Sequence, residues 1–286
     1  MPELPEVETV RRDLSQFVIG RKIVGVEVRL KKYVSPQPGK FTELLIGSTV
    51  RDIERRGKLL VIHLDNAYRI HIHLKMTGQL VLSHGQTLVA GGHPMVSVKD
   101  LPNKHTHLVI VFDNKDILYC NDQRQFGYAR LHSVAESDEI VSARYGIEPL
   151  SDQFTLKFFR AGLARRPKTT IKALLLDQKF VAGLGNIYVD ESCFKAGVLP
   201  MRRVGTLNDQ EMVSLHQAIR KIIALAVKHR GTTFNNYVSI DGRAGQFWKY
   251  CAVYGRAGTP CKQCGVELVK TTVAQRGTTY CPNCQK

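Results

Sequence analysis

Nowhere in the 286 residues does an apolar run approach the roughly 18 residues that would cross a bilayer, and no charged-then-apolar leader opens the chain. Neither a membrane span nor a secretory signal is expected, and the cytoplasm is the expected compartment. Acid is in short supply: 25 Asp and Glu face 41 Lys and Arg, a formal charge of +16. That imbalance repels itself unless a polyanion is the working partner, so nucleic acid is the natural candidate and a merely basic protein the bland alternative. A disulfide framework is also lacking. Seven cysteines is an odd number, and four of them crowd into the last 26 residues. Cys120, Cys193 and Cys251 sit singly among apolar neighbours and read as buried thiols without chemistry. There is no internal repeat and no low-complexity tract. With 43% hydrophobic and 23% charged residues, the chain reads as globular and long enough for two domains with separate cores.

The first half has the pattern of strands. Val26, Val28 and Leu30 alternate with Glu27 and Arg29, residues 58–64 form an apolar run closed by Asp65-Asn66, and residues 107–120 read as a hairpin turning at 113–116. After about residue 150 the period becomes helical. Met212, Leu215, Ile219, Ile222 and Ala226 share one face, Asn208 with Glu211 resembles an N-cap and its reciprocal partner, and Gly231 reads as the stop. Further helices are expected over 152–163, 170–179 and 186–196. The opening MPELPEVET also reads as a helix start: Pro5 suits the first helical position, Glu6 and Glu8 suit the positive end of the dipole, and Val7, Val10 and Leu14 lie on one face. Pro2 and Glu3 are left without a reason by that reading.

The strongest motif is the tail. Cys261-Lys-Gln-Cys264 and Cys281-Pro-Asn-Cys284 are two knuckles, sixteen residues apart, that present four thiolates to one tetrahedral ion. Soft ligands and closed coordination favour one structural Zn²⁺, with a redox pair or an iron-sulfur centre as the alternatives. The metal would supply folding energy that so short a segment cannot obtain by burial. Arg276 stands in the turn region between the knuckles, either as a solvated charge or aimed at a phosphate.

Two other stretches suit a polyanion. Period two places His71, His73 and Lys75 opposite Ile70, Ile72 and Leu74, with Met76 at the turn, where it is either a core methionine or a wedge between base pairs. Between Arg160 and Lys179 the only acid is Asp177 among Arg165, Arg166, Lys168 and Lys172, a pattern usual for a solvated helix face. Gly183-Leu-Gly185-Asn186 then interrupts helical sequence, and such a hairpin exposes helix N-terminal amides able to hold phosphate.

With MPELPEVET, Gly57-Lys58, His73-Leu-Lys-Met76-Thr-Gly78, Asp122-Gln-Arg124-Gln-Phe126-Gly127, Gly183-Leu-Gly185-Asn186-Ile-Tyr188 and the paired-cysteine tail in one order, the chain resembles the bacterial formamidopyrimidine-DNA glycosylases from end to end. The resemblance implies an α+β fold: an N-terminal β-sandwich with a terminal helix, then a helix-two-turn-helix domain ending in a zinc-ribbon-like finger. On this expectation the parts are residues 1–148, 149–249 and 250–286. It implies a bifunctional enzyme that excises oxidised purines, chiefly 8-oxoguanine and formamidopyrimidines, from duplex DNA and cuts the strand at the abasic site. It is expected to act as a monomer without an obligate protein partner.

Residue by residue, the resemblance makes Pro2 the nucleophile, Glu3 its acid partner, Lys58 a second catalytic amine, and Arg276 the finger arginine at the phosphates. Met76, Arg124 and Phe126 would fill the gap left by an extruded nucleotide. His73, His105, Lys168 and Asn186 fall at or beside backbone-contacting positions, although Arg166-Pro167-Lys168 could supply its contact from either end. Gln125 departs from the family, which commonly has a second basic residue there. The related endonuclease VIII group, specific for oxidised pyrimidines, is the first alternative; Leu4 and Arg124 favour the purine branch. A non-catalytic DNA-binding homologue is the second.

The chemistry is consistent with a terminal amine. An α-amine titrates near ~7.7–8.0 against about 10.4 for lysine, so it keeps a neutral fraction at pH 7. Because proline nitrogen is secondary, its condensation at C1′ gives an iminium that cannot lose a nitrogen proton, and that cation acidifies the C2′ hydrogen. All of this requires removal of Met1. Residues 231–237 and 241–245 read as a loop closing over a flipped base, and residues 83–103 have no assigned reading.

Overall fold

The computed structural model describes residues 1–85, 87–92, 100–232 and 245–286, with backbone alone over 87–90. Residues 233–237 and 241–244 of the loop expected over 231–237 and 241–245, and part of the 83–103 segment, lie outside these residues. The chain divides into two compact units, residues 1–143 with 230–246, and residues 144–229 with 247–286.

In the first unit, helix α1 (Leu4–Val18) is followed by β1 (Ile23–Val28), β2 (Val34–Ser35), α2 (Pro38–Leu45), β3 (Val50–Arg56), β4 (Leu59–Leu64), β5 (Tyr68–His73), β6 (Gly78–His84), β7 (Thr87–Gly92), β8 (Thr106–Phe112), β9 (Ile117–Asp122), β10 (Tyr128–Ser133) and α3 (Val134–Arg144). Two five-stranded sheets form, in the orders β1-β8-β9-β6-β7 and β2-β10-β5-β4-β3. Their inner faces share one core. Leu60, Ile62, Ile70 and Ile72 come from one sheet, Leu80, Leu82, Leu108, Ile110 and Leu118 from the other, and Val7, Val10, Leu14 and Val18 from α1.

Helix α1 begins one residue earlier than the position of Pro5 suggested. Glu3, extended at φ −108°, takes the N-cap position, and its N–H donates to Glu6 Oε2 at 2.9 Å. The expected hairpin over 107–120 is present as β8 and β9. The polar face expected of β5 is only partly open. His71 is buried, its Nε2 lies 2.7 Å from Ser137 Oγ, and its ring packs on His132, because α3 lies over that part of the sheet. Lys75 is already beyond the strand, at φ +51°. His73 alone carries the expected face to the sheet margin.

The second unit contains α4 (Leu156–Ala164), α5 (Ile171–Leu176), α6 (Asn186–Ala196), α7 (Asp209–Lys228) and the hairpin β11 (Val269–Val273) and β12 (Arg276–Tyr280). Side-chain caps explain the boundaries. Thr155 accepts from Phe158 N–H, so α4 starts later than 152; Thr170 accepts from Ala173 N–H; and Asn208 and Glu211 form the expected capping box. Asp177 leaves the helical region, which ends α5 at Leu176 rather than 179. The stop expected at Gly231 comes sooner, since α7 ends at Lys228 and Arg230 is the first residue at positive φ, +61°. No helix among the described residues is long and apolar enough to cross a membrane.

Candidate active and DNA-contacting sites

The start of α1 is bound into its surroundings by acidic side chains. Pro2 and Glu3 are both buried. Glu6 joins two strangers in sequence: Oε2 accepts from Glu3 N–H, while Oε1 accepts from Thr232 N–H at 2.7 Å and from its hydroxyl at 3.0 Å. Gly231, at φ +79°, is required beside it, because a Cβ there would collide with the Glu6 carboxylate. One turn on, Glu8 accepts from Arg11, Arg12 and Arg55, and Arg55 also donates to Gly57 O at 3.0 Å. The turn at Gly57, φ +58°, is thereby held against α1, and it delivers Lys58, itself only 6% exposed, into the same cluster.

The electrostatics place these groups together. The Met1 α-amine is held below its usual value by burial, with Glu3 and Glu6 opposing and Lys58 reinforcing the effect. His73 is pushed down to about 3 by burial, with Lys75 and Lys58 adding repulsion. Its Nδ1 accepts from Lys75 N–H at 2.9 Å, so the neutral ring carries its proton on Nε2 and presents a donor. Lys58 and His73 come from β-sheet margins 15 positions apart in sequence, and the antiparallel pairing of β4 with β5 sets Leu59 opposite His73.

Met76, Arg124 and Phe126 lie where the chain changes sheets. The β5–β6 connection carries Met76, half-buried, and the β9–β10 connection carries Arg124 and Phe126. Phe126 is 54% exposed, and the Arg124 guanidinium lies 4.8 Å from its ring centroid. An aromatic ring left in solvent with a cation over its face is suited to stacking. His105 precedes β8; its N–H donates to Asn103 Oδ1, and its carbonyl accepts from Asp122 N–H at 2.9 Å.

In the second unit, Gly185 is the N-cap of α6 and Asn186 its first residue. Asn186 Nδ2 donates to Gly277 O at 2.8 Å, which brings it beside Arg276 in the hairpin. Arg276 is exposed at the first position of β12, across from Val273. The intervening Ala274 and Gln275, at φ +51° and +58°, make a two-residue turn of the mirror-image kind that matches strand twist. Lys168 and Arg166 are both exposed, and Arg166 pairs with Asp177.

Lys172 corrects the expectation of a solvated basic face. It is fully buried, paired with Asp190, and donates to Gly277 O. Glu191, also buried, accepts from the N–H groups of Ala252, Val253 and Tyr254. Asp122, Thr77, Asp190 and Glu191 were given no role of their own from sequence, and Glu6 was read only as a helix-dipole carboxylate. Spacing could not flag them, since each works through partners 45 or more positions away, or in the case of Asp190 through a lysine on another helix.

The cysteines converge as expected. The Sγ atoms of Cys261, Cys264, Cys281 and Cys284 all lie within 4.8 Å of one another. Tetrahedral Zn–S bonds of about 2.3 Å require S···S separations of about 3.8 Å. The separations of 4.0 Å for Cys261–Cys284 and 3.5 Å for Cys264–Cys281 bracket that value. Backbone N–H groups of Gln263 and Cys284 point at Cys261 and Cys281 Sγ, an arrangement that favours thiolate. The site fits one structural zinc ion with no open position.

Comparison with known proteins gives three family matches in chain order. The Formamidopyrimidine-DNA glycosylase N-terminal domain matches residues 1–129, the Formamidopyrimidine-DNA glycosylase H2TH domain residues 145–237, and the zinc finger found in FPG and IleRS residues 258–286. Formamidopyrimidine-DNA glycosylases of Pelotomaculum thermopropionicum and Heliobacterium modesticaldum are 41% and 42% identical to the chain; the matches cover 100% of it and 99% and 100% of those proteins. A Lactococcus lactis Fpg variant in complex with Fapy-dG containing DNA superposes with a TM-score of 0.89 at 35% identity over 100% of both chains. The complex of Lactococcus lactis Fpg with abasic-site containing DNA gives 0.88 at 35% identity over 99% of each.

Proposed function

The chain belongs to the formamidopyrimidine-DNA glycosylase family, DNA glycosylases that also act as abasic-site lyases, and on that premise we propose that Pro2, freed by removal of Met1, is its nucleophile. The substrate is duplex DNA bearing an oxidised purine, a formamidopyrimidine or 8-oxoguanine. Relatives bound to Fapy-dG and abasic-site DNA support that choice. The enzyme works in the cytoplasm, where such DNA lies. The division into 1–148, 149–249 and 250–286 is kept as its functional anatomy, supported by the separate family matches at 145–237 and 258–286.

The proline nitrogen attacks C1′ as the C1′–N bond to the damaged base breaks; the base leaves with the bonding pair and takes up a proton, and the proline nitrogen loses its own N–H proton. Glu3 then delivers a proton to O4′, the C1′–O4′ bond opens, and the nitrogen lone pair completes a C1′ iminium. Loss of a C2′ proton into that electron sink expels the 3′ phosphate, and a second elimination expels the 5′ phosphate. Lys58 contributes an ammonium beside the reacting sugar. At the terminus burial lowers the α-amine most, Glu3 and Glu6 oppose that, and the Lys58 charge adds to it.

Around the reacting nucleotide, His73 donates from Nε2 to the DNA backbone as a neutral ring, with His105 beside it. Lys168, Asn186 and Arg276 bind phosphates, the last two from the α6 terminus and the finger hairpin. Met76, Arg124 and Phe126 occupy the space left by the extruded nucleotide and offset the few kcal/mol of unstacking. A zinc ion held by Cys261, Cys264, Cys281 and Cys284 would have no open position for chemistry and would serve to hold the hairpin that carries Arg276.

The observation that carries the reading is the cluster at the start of α1, where Pro2 and Glu3 are buried, Glu6 accepts from Glu3 N–H, and Lys58 is almost fully buried. Borohydride trapping on 8-oxoguanine duplex tests it. A covalent adduct at Pro2 is expected, with none from Pro2→Gly under the same conditions. An adduct-forming enzyme that retains Met1 by mass spectrometry would sink the assignment.

A further inference from the structure

Asp122 is completely buried, yet it immediately precedes four exposed residues, 123–126. Its carboxylate accepts from the Thr77 hydroxyl, from Arg124 N–H at 3.1 Å and from Gly127 N–H at 2.6 Å. Thr77 closes the set, because its oxygen also accepts from Arg124 N–H at 3.0 Å. The Asp122 backbone is used as well: its N–H donates to His105 O at 2.9 Å, and its carbonyl accepts from His107 Nε2 at 2.6 Å.

Topology makes this position special. The β5–β6 and β9–β10 connections are both crossings from one sheet to the other, and they leave side by side, since Gly78 pairs with Asp122 and His73 with Tyr128. One crossing carries Met76 next to Thr77. The other carries Phe126 between the two backbone donors to Asp122, those of Arg124 and Gly127. Backbone geometry supports a clamp: Gln125, between Arg124 and Phe126, is held at φ +56°, a conformation that a non-glycine residue avoids unless its neighbours impose it. Gly127 leaves little room for a side chain, because a Cβ would stand 3.1 Å from both Asp122 Oδ2 and His73 O.

We propose that Asp122, acting through Thr77, is a positioning residue that locks the Met76 turn and the Arg124–Phe126 loop into one rigid wedge. The inference rests on the void-filling role proposed for Met76, Arg124 and Phe126. A wedge split between two independent loops would lose its grip on the duplex each time one moved. Joined at a buried carboxylate, the two parts advance into the base stack together, with their ordering completed before DNA arrives.

Four variants of the zinc-loaded protein test it: Met76→Ala, Thr77→Val, Thr77→Ser and Asp122→Asn. Thr77→Val keeps the shape and deletes the hydroxyl, whereas Thr77→Ser keeps the hydroxyl and deletes a methyl. Asp122→Asn turns one acceptor into a donor that faces another donor. The readouts are single-turnover excision of 8-oxoguanine, cleavage of a preformed abasic site, and the thermal midpoint.

Thr77→Val and Asp122→Asn are expected to slow excision on the order of tenfold, the scale of one lost buried hydrogen bond, and Thr77→Ser to restore it. Abasic cleavage should change by no more than about twofold, because no base has to be unstacked. Slow excision by Met76→Ala together with normal excision by Thr77→Val and Asp122→Asn overturns the clamp and leaves the void-filling role standing. Equal impairment of Thr77→Ser and Thr77→Val, or abasic cleavage falling as far as excision, also overturns it in favour of a general folding role. Unimpaired excision by Met76→Ala removes the void-filling role and the clamp with it.

Discussion

The Lys172 ammonium lies 2.6 Å from Asp190 Oδ1 with both side chains sealed from solvent, and the remaining capacity of the pair is spent on the finger hairpin. Lys172 also donates to Gly277 O at 3.0 Å, and Asp190 Oδ2 accepts from Thr279 N–H at 3.2 Å. Two helices, α5 and α6, thereby hold the strand that begins at Arg276. Removing one partner leaves a buried uncompensated charge, so Lys172→Met should cost about 3–5 kcal/mol in denaturant unfolding of the zinc-loaded protein. The double variant Lys172→Met with Asp190→Leu should recover most of that loss. A single variant with a wild-type midpoint would refute the role given to the pair.

Acid stability should depend on Glu8. Burial pushes its carboxyl up, but hydrogen bonds from Arg11, Arg55 and Arg12 and the Arg55 charge outweigh burial and lower it to about 2. A carboxyl depressed in the folded state stabilises fully above its unfolded value and loses that contribution as pH falls through the folded one. The contribution, on the order of 3 kcal/mol, should therefore disappear between about pH 4.5 and 2. In Glu8→Gln the stability-against-pH curve should be flatter across that window; an unchanged slope would contradict the assignment.

His73 should behave as a neutral donor at every pH at which the enzyme works. With its value lowered to about 3, chiefly by burial, the folded protein binds fewer protons at this ring than the unfolded chain does. Stability from this site is thus complete above about pH 6.5 and declines as pH falls below it. Nitrogen-resolved NMR should show an Nε2–H tautomer with no titration between pH 5.5 and 8. His73→Ala should weaken DNA binding by a factor that is constant over that range, and a factor that grows on acidification would show a charged imidazolium contact instead.

Metal removal should act on one segment. The four-cysteine site closes residues 261–284 around its ion, and the small cluster of Val253, Leu268, Cys261 and Cys281 is too slight to hold the hairpin alone. Chelation, or Cys264→Ser, should abolish hydrogen-exchange protection over β11 and β12 and reduce strand cleavage, while β4, β5, β8 and β9 stay protected. Protection that survives a verified zinc loss would rule out the metal as the source of the finger's order.

Much of this was readable in the chain because it depends on local spacing. Two cysteine pairs in one tail specify a tetrahedral thiolate site whatever surrounds them. The alternation over residues 70–74 predicts which side chains enter the core, and Asn208 with Glu211 predicts the start of α7, because caps and strand faces are set by neighbours a few positions away. The order of the short motifs was enough to point to the family.

What tertiary structure decided is which charges are spent internally. Lys172 looked like one more basic residue of a solvated helix and is fully buried, while His71, expected beside His73 on an open face, is covered through Ser137. Glu6 looked like a helix-dipole carboxylate and instead ties Glu3 to Thr232, 226 positions away. Asp122 looked like part of a loop motif and proved to be its anchor. A buried polar group must find its partners wherever the fold brings them, since leaving one unmade costs more than any local preference returns. Sequence therefore announced the reagents, and the three-dimensional pairing of buried donors and acceptors determined how rigidly each is held.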